Sequence, residues 1–423
     1  MGNDPVAGQR DDIPEHDPVA RQVGAALTRL SGDLPRLGIA LSGGGDSMAL
    51  MHLARGWAQG RLLMAATVDH GLRPESADEA RQAHRAATAL SIPHATLLWQ
   101  RDNEAGNLMA AARDARLRLL SGWAERNRLD AVLLGHTLDD QAETLLMRLA
   151  RGSGVDGLAA MAESRIAFGM RWIRPMLGVS RGDLREWMTG RGIGWIDDPS
   201  NENEDYDRVR IRKALAGLNL PARQLAQSAA NMAQARDALQ DFAALTAEGA
   251  TAQQGTLKLP WTAFRRAPLE IRRRLLVAGL RFVTGADYPP RRETLLNAIS
   301  ALNTAPRLTL EGVIVEPRGE WLQLYREPVA AARACSLSGQ EIWDGRWLIK
   351  GLLPGQEVRA LGHEPLPGLN WRASGMLRDE AAASPGIWQD GEILAAPALK
   401  PHPDYSAIPL RGLSQFIALL YTH

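Results

Sequence analysis

Between residues 36 and 152 the chain alternates short apolar runs with longer stretches of helical period. LGIALS reads as a buried strand that runs into a glycine loop, and residues 47–54 read as the helix after it. LLMAATVDH is a second strand. Its helix covers about 77–90 and opens with Ser76 and Glu79 at capping-box spacing. ATLLW is a third strand, followed by a helix across residues 108–126. DAVLLGH is a fourth, with a helix beginning near Leu138. On that helix Ala142, Leu145, Leu146 and Leu149 recur at core-facing spacing. Repeated β–α units predict an α/β fold with a doubly wound parallel sheet. Such sheets take ligands at the carboxyl ends of their strands. Those ends carry SGGGDS, VDHGLR and LGHTLDD, three polar clusters at one sheet edge.

The pattern changes past residue 220. Residues 221–249 are helical and rich in alanine and glutamine, and 260–303 are helical and rich in arginine. RLTLEGVIVEPRGEWLQLYRE reads as a β-hairpin turning at residues 317–319. From about 336 the chain is rich in Gly, Pro and Trp, with short strands. The expected division is a loose polar leader (1–25), an α/β nucleotide-binding domain (26–220), a helical, basic middle domain (221–335) and a small α+β C-terminal domain (336–423).

Composition narrows the classes. A formal net charge of +1 removes any global basic signal, so nucleic-acid contact must come from local patches. Lysine occurs only at Lys213, Lys258, Lys350 and Lys400, and arginine supplies the other positive charges. The single cysteine, Cys335, excludes an internal disulfide and a CxxC redox or zinc pair, and fits a reducing cytoplasm. No apolar run approaches the roughly 20 residues that span a bilayer, so no membrane partner is expected.

The glycine loop carries the first chemistry. Gly43, Gly44 and Gly45 let backbone N–H groups approach a phosphate at a helix N-terminus, and Ser42 and Ser47 add hydroxyl donors. The loop lacks the lysine of a Walker A motif. Asp46 would repel a phosphate unless a metal ion lay between them, which makes it, with Asp139, a candidate magnesium ligand. Thr137 and Asp140 form an N-cap pair, and Asp140 and Glu143 lie one turn apart on the face opposite the apolar stripe. Two carboxylates there suit magnesium or a cationic substrate. A plain helix cap with a solvated Glu143 is the competing reading.

SGGGDS after a strand resembles the PP-loop of the N-type ATP pyrophosphatases, which split ATP between its α and β phosphates. LGHTLDDQAETLLMRLARGSGVDGLAAM at 134–161 resembles the signature of the tRNA(Ile)-lysidine synthetases within that superfamily. VDHGLR, NLMAAARDARLRLL, the DDPSNENEDYDRVRIR segment and WRASGMLRDEAAASPGIWQDGEILAAP are also similar to that family, although Val209 stands where the family usually has asparagine. The resemblance implies ATP and Mg2+ as cofactors. It implies free L-lysine and a tRNA(Ile) with a CAU anticodon as partners, the wobble cytidine being adenylated and then attacked by lysine. It makes Asp46, Arg113 and Asp140 catalytic candidates. Ser42, Gly43, Gly44, Gly45, Asp46, Ser47, Asp69, His70, Gly135 and His136 become the nucleotide site, and Asp140 with Glu143 the lysine site. Arg116, Arg208, Arg210, Arg212, Arg272, Arg273, Arg372 and Arg378 become tRNA contacts. A tRNA thiolase, an amidotransferase-type synthetase and a non-catalytic RNA-binding module are the rivals. The first two normally need cysteines that this chain lacks, and the intact loop weighs against the third. Oligomeric state stays open.

Overall fold

A computed structural model of the chain describes residues 17–71, 75–99, 108–196, 207–335 and 341–422. It groups into two compact units, Met1–Gln234 and Ala235–His423.

The first unit runs α1 (Pro18–Ser31), β1 (Arg36–Ala40), α2 (Gly45–Trp57), β2 (Leu62–Asp69), α3 (Ser76–Ala89), β3 (His94–Leu98), α4 (Leu108–Arg126), β4 (Ala131–Leu133) and α5 (Leu138–Leu149). It continues through α6 (Val155–Leu158), β5 (Ser164–Ala167), β6 (Met170–Ile173), α7 (Arg181–Thr189) and α8 (Asp207–Gly217), and α9 (Ala222–Thr246) crosses the division. The expected α/β sheet is present, in the order β3-β2-β1-β4-β6-β5. Five strands are parallel, with Leu37 paired to both Leu63 and Ala131, Ala65 to His94, and Val132 to Trp172. β5 closes the edge antiparallel to β6, a hairpin the periodicity did not mark.

Helices cover both faces, which is why β1 is apolar on both. Leu37, Ile39 and Leu41 pack with α1, α2 and α7, whereas Ala40 packs with Trp123 and Ala124 of α4 on the opposite side. α1 begins at Pro18, within the segment expected to be a leader. Asp17 Oδ1 accepts the Ala20 N–H at 2.8 Å, and Val23 and Leu27 are fully buried. α3 is capped at Glu75 rather than opened by the Ser76–Glu79 pair.

The strand order reverses between β1 and β4. Their carboxyl ends diverge there into different connections, leaving a crevice outside the sheet. The glycine loop leaves β1 and the GHTLDD segment leaves β4 at this point. The topology therefore sets these two clusters side by side.

The second unit is richer in sheet than the helical pattern of its first half predicts. It contains β7 (Thr251–Gln253), β8 (Thr256–Pro260), α10 (Trp261–Arg266), α11 (Leu269–Thr284), α12 (Arg292–Ala301), β9 (Leu308–Leu310), β10 (Val313–Arg318) and β11 (Trp321–Arg326). Its strands form a five-stranded antiparallel sheet, β7-β8-β11-β10-β9. The expected hairpin at 313–326 is its centre. The strands missed, β7 and β8, join through Gln254 and Gly255, both at positive φ as a tight hairpin requires. α11 lays Ile271, Leu275, Ala278 and Phe282 into the core with Leu257, Leu322 and Leu324. Two three-stranded sheets follow, one including residues 347–350 and 406–409, the other 357–360 and 385–389.

Candidate active site

The glycine loop closes on itself through serine. Ser47 Oγ donates to the Gly44 carbonyl at 2.9 Å and accepts the Ser42 N–H at 3.1 Å, while the two hydroxyls lie 3.1 Å apart. Ser47 is buried, so its hydroxyl holds the loop's shape, and Ser42 is the serine exposed at the mouth. Gly43 has φ +84°, and a Cβ on it would lie 2.7 Å from Ile196 Cδ1. Ile196 N–H donates to the Gly43 carbonyl at 3.0 Å. Residues 195–196 thus pack the loop from outside, a support that sequence reading missed. Gly44 caps α2 with extended backbone and no side-chain cap, which leaves the helix's positive end to a ligand.

Across the crevice, Thr137 and Asp140 cap α5 reciprocally. Asp140 Oδ2 accepts the Thr137 N–H at 2.8 Å, and the Asp140 N–H reaches Thr137 Oγ1 at 3.4 Å. Asp140 and Glu143 are not on a solvated face, because Glu143 is 1% exposed and Asp140 7%. They meet Arg181, the first residue of α7. Its guanidinium reaches Asp46 Oδ2 at 3.2 Å, Asp140 Oδ1 at 3.2 Å and Glu143 Oε1 at 3.4 Å. Arg212 of α8 reaches the same Glu143 oxygen at 2.9 Å. Glu143 Oε2 is buried with no hydrogen-bond partner among the described residues.

Asp139 does something else. Its Oδ2 accepts the Arg181 backbone N–H at 2.7 Å and, with Ser180 Oγ on the Asp183 N–H at 3.1 Å, satisfies the start of α7. Asp46 remains the acid at the loop mouth. Magnesium is commonly held by one or two carboxylates completed by phosphate oxygens and water, and Asp46 fits that donor set. No group of three or more His, Cys, Asp or Glu side chains among the described residues forms a self-sufficient metal site.

Charge is distributed unevenly. Burial, reinforced by Asp140, holds the Asp46 carboxyl above its ordinary range although Arg181 opposes it. Burial pushes Asp140 upward too, but Arg181 and the Thr137 N–H outweigh it, and its net shift is down. Arg181 stays charged, since the surrounding acids overcome its desolvation.

His70 follows β2 directly and His136 lies just past β4. Burial lowers both, and Arg116 lowers both further, so each imidazole is neutral near pH 7. Nδ1 of each is buried with no hydrogen-bond partner among the described residues. Asp69 Oδ1 accepts the Gly71 N–H at 2.9 Å and shapes the turn after β2. His70 packs edge-on against Trp99.

The expected arginine contacts divide. Arg116 lies by the two histidines, Arg208 acts electrostatically on His136 and Asp140, and Arg212 belongs to the acid cluster, while Arg210 is exposed. The Arg113 side chain and residues 197–206 lie outside the described residues. Val209 is buried. On α11 the expected basic face is partly neutralised: Arg273 forks onto Glu270 at 2.6 and 2.9 Å, Arg274 is buried beside the same acid, and Arg272 is half-buried. Arg372 and Arg378 are exposed and, with Arg307, Arg318 and Trp371, line a cleft of about 600 Å³.

Sequence reading missed Arg181, which stands in the RPMLGVSRGDLREWM stretch. The available signal was the Ser–Arg–Gly–Asp start of a helix, with Ser180 and Asp183 at capping spacing.

Residues 17–218 match the model of a PP-loop domain family. The chain is 44% identical over 396 residues to a tRNA(Ile)-lysidine synthase of Ruegeria pomeroyi, covering 92% of this chain and 94% of the relative. A tRNA(Ile)-lysidine synthase of Bradyrhizobium diazoefficiens is 38% identical over 75% of this chain and 96% of its own length. One from Zymomonas mobilis is 36% identical over 69% and 89%.

Proposed function

This chain belongs to the tRNA(Ile)-lysidine synthase family, and on that premise we propose how its crevice joins free lysine to C2 of the wobble cytidine in a CAU anticodon. The cytosine O2 attacks the α-phosphorus of ATP, and pyrophosphate leaves with the α–β bridging oxygen. The lysine amine then attacks C2, the C2–O2 bond breaks, AMP departs with that oxygen, and the surplus proton goes to solvent.

Each step assigns work to residues of the chain. The N-terminus of α2, the loop N–H groups and Ser42 hold the departing pyrophosphate by fixed dipoles, which cost no reorganisation as charge builds. Asp46 would hold Mg2+, which when bound neutralises phosphate charge. Asp139 is engaged at the start of α7, and Asp46 takes the larger share of that role. Asp140 and Glu143 orient the lysine through its positive charge. Neutral His70 and His136 line the nucleotide, and contact with the substrate phosphate or the activated intermediate is assigned to Arg113, with Arg116 second. An anticodon loop supplies unstacked bases, the part of an RNA that proteins read most readily. Arg210 contacts the tRNA backbone and Arg372 and Arg378 grip the acceptor stem, with Arg272 and Arg273 secondary because α11 spends much of their charge internally. The setting we assign is the cytoplasm, which the lone Cys335 fits.

What supports this reading best is that one guanidinium is shared between Asp46 at the phosphate loop and Asp140 with Glu143 on α5. Phosphate donors and an acid pair therefore occupy one crevice. The test is incubation of the full chain with ATP, Mg2+, labelled lysine and tRNA(Ile) bearing CAU, beside methionine tRNA. The isoleucine tRNA alone is expected to take label, and Asp46→Asn is expected to lose both label and AMP while keeping its circular dichroism. Equal labelling of the two tRNAs, or full turnover by Asp46→Asn, overturns the assignment.

A further inference from the structure

The cation subsite on α5 is already filled by a cation of the chain itself. Arg181 spans Asp140 Oδ1 and Glu143 Oε1 and reaches back to Asp46 Oδ2. Glu143 Oε1 already accepts from both Arg181 and Arg212, so an ammonium cannot take that oxygen while both guanidinium groups sit on it. Arg181 holds its acids loosely, however. Its side-chain contacts run 3.2, 3.2 and 3.4 Å, longer than the roughly 2.7–2.9 Å of a strong charged pair. It makes no parallel fork to any one carboxylate, the geometry that makes arginine hard to dislodge. Arg212, by contrast, meets Glu143 at 2.9 Å. The second Glu143 oxygen, Oε2, is buried and has no hydrogen-bond partner among the described residues, an acceptor that a buried carboxylate does not normally leave unused. It is poised for one more donor.

We infer that Arg181 is a resident counter-cation of the lysine subsite, exchanged for the substrate ammonium on binding, and that it sets which ligands the subsite admits. This rests on the reading that Asp140 and Glu143 bind lysine. The physical role follows from charge. Asp46, Asp140 and Glu143 converge in a largely buried crevice, and without a cation their mutual repulsion raises the energy of the empty subsite. Arg181 neutralises them between turnovers. An incoming ligand must supply its own positive charge to replace the one it removes. A neutral amino acid of similar length leaves the acids uncompensated and is rejected by that deficit. The backbone N–H of Arg181 stays on Asp139 throughout, so the start of α7 does not move when the side chain does. The cost is occupancy: the subsite is open only for the fraction of time that the guanidinium is away, and apparent affinity falls by that fraction.

Lysine binding to the full chain, measured by titration calorimetry without turnover, tests this. Arg181→Gln is expected to bind lysine roughly tenfold more tightly than the unaltered chain and to discriminate less against norleucine, which lacks the terminal amine. Unchanged or weaker lysine binding by a folded Arg181→Gln overturns the inference, since the arginine would then be a brace or a direct lysine contact. Glu143→Gln separates the two layers. If it binds lysine as the unaltered chain does, the acid-pair reading has failed, whatever Arg181 does. Should Arg181→Gln not fold, a crystal structure of the unaltered chain with lysine decides. The guanidinium is expected to have left Asp140 and Glu143, and lysine bound with Arg181 still on both acids refutes the exchange.

Discussion

A methyl group placed on Gly135 would lie 3.0 Å from both the carbonyl carbon and the carbonyl oxygen of Asp46. The loop leaving β4 therefore rests directly on the first turn of α2, backbone to backbone. This contact joins the phosphate loop to the segment that carries Thr137 and Asp140. It also explains why a residue without a side chain follows β4, where the chain has no need of positive φ.

Gly135→Ala should separate the two loops with little loss of fold. Backbone atoms cannot rotate aside as a side-chain tip can, so the loops must move apart. Overpacking of this kind costs about 1–3 kcal/mol. Displacement of catalytic groups by an ångström costs up to ~100-fold in rate. The expected result is lysine incorporation reduced by roughly 10- to 100-fold with a melting temperature lower by about 2–12 °C, at about 2–4 °C per kcal/mol. Activity and stability falling together to nothing would mean that the contact holds the fold rather than the site.

Acid should unfold the first unit partly through His94. Its Nε2 lies 2.8 Å from Thr67 Oγ1 and its Nδ1 3.3 Å from His84 Nδ1. Burial, aided by the charge of His84, lowers it from 6.5 to about 4. The unfolded chain takes up this proton near pH 6.5 and the folded chain only near 4, so the unfolded state binds more protons in between. Stability is full above pH 6.5 and is lost as the pH falls toward 4. Melting temperatures of the unaltered chain and of His94→Asn between pH 7.5 and 4 should converge or cross as the pH drops. His70 and His136, also held neutral, leave a residual slope in both. Parallel curves across the whole range would exclude His94 as a contributor.

Asp344 should be a weak point of the second unit. Arg326 forks onto it at 2.9 and 3.1 Å, and Arg346 Nε donates to it at 2.7 Å, with both arginines largely buried. Removing the carboxylate strands two guanidinium groups in the interior, and breaking a buried pair in this way costs about 3–5 kcal/mol. Asp344 also sits at φ +50°, a conformation that asparagine tolerates better than alanine does. Urea denaturation should therefore rank the unaltered chain above Asp344→Asn, and Asp344→Asn above Asp344→Ala. An alanine variant within about 0.5 kcal/mol of the unaltered chain, the ordinary range of surface substitutions, would show that the network adds no net stability.

Sequence alone determined the parallel strand–helix units, the glycine loop opening α2, and the Thr137–Asp140 cap with Glu143 a turn later. These are local matters: hydrophobic period, turn chemistry and capping act over a few residues and are written in adjacent letters. The β7–β8 hairpin was also local, yet its strands are too short to show an alternation against the helices around them. Only tertiary structure decided what the acids face. Arg181 and Asp46 are 135 residues apart, and Arg212 and Glu143 are 69 apart. No local pattern says that α7 and α8 bring guanidinium groups to the crevice between β1 and β4. The same holds for Ser47, Asp139 and Arg273, whose polar atoms are spent on the loop, the start of α7 and Glu270. A side chain's chemistry is fixed by its type, but its availability depends on which distant groups reach it first, and the folded chain alone settles that.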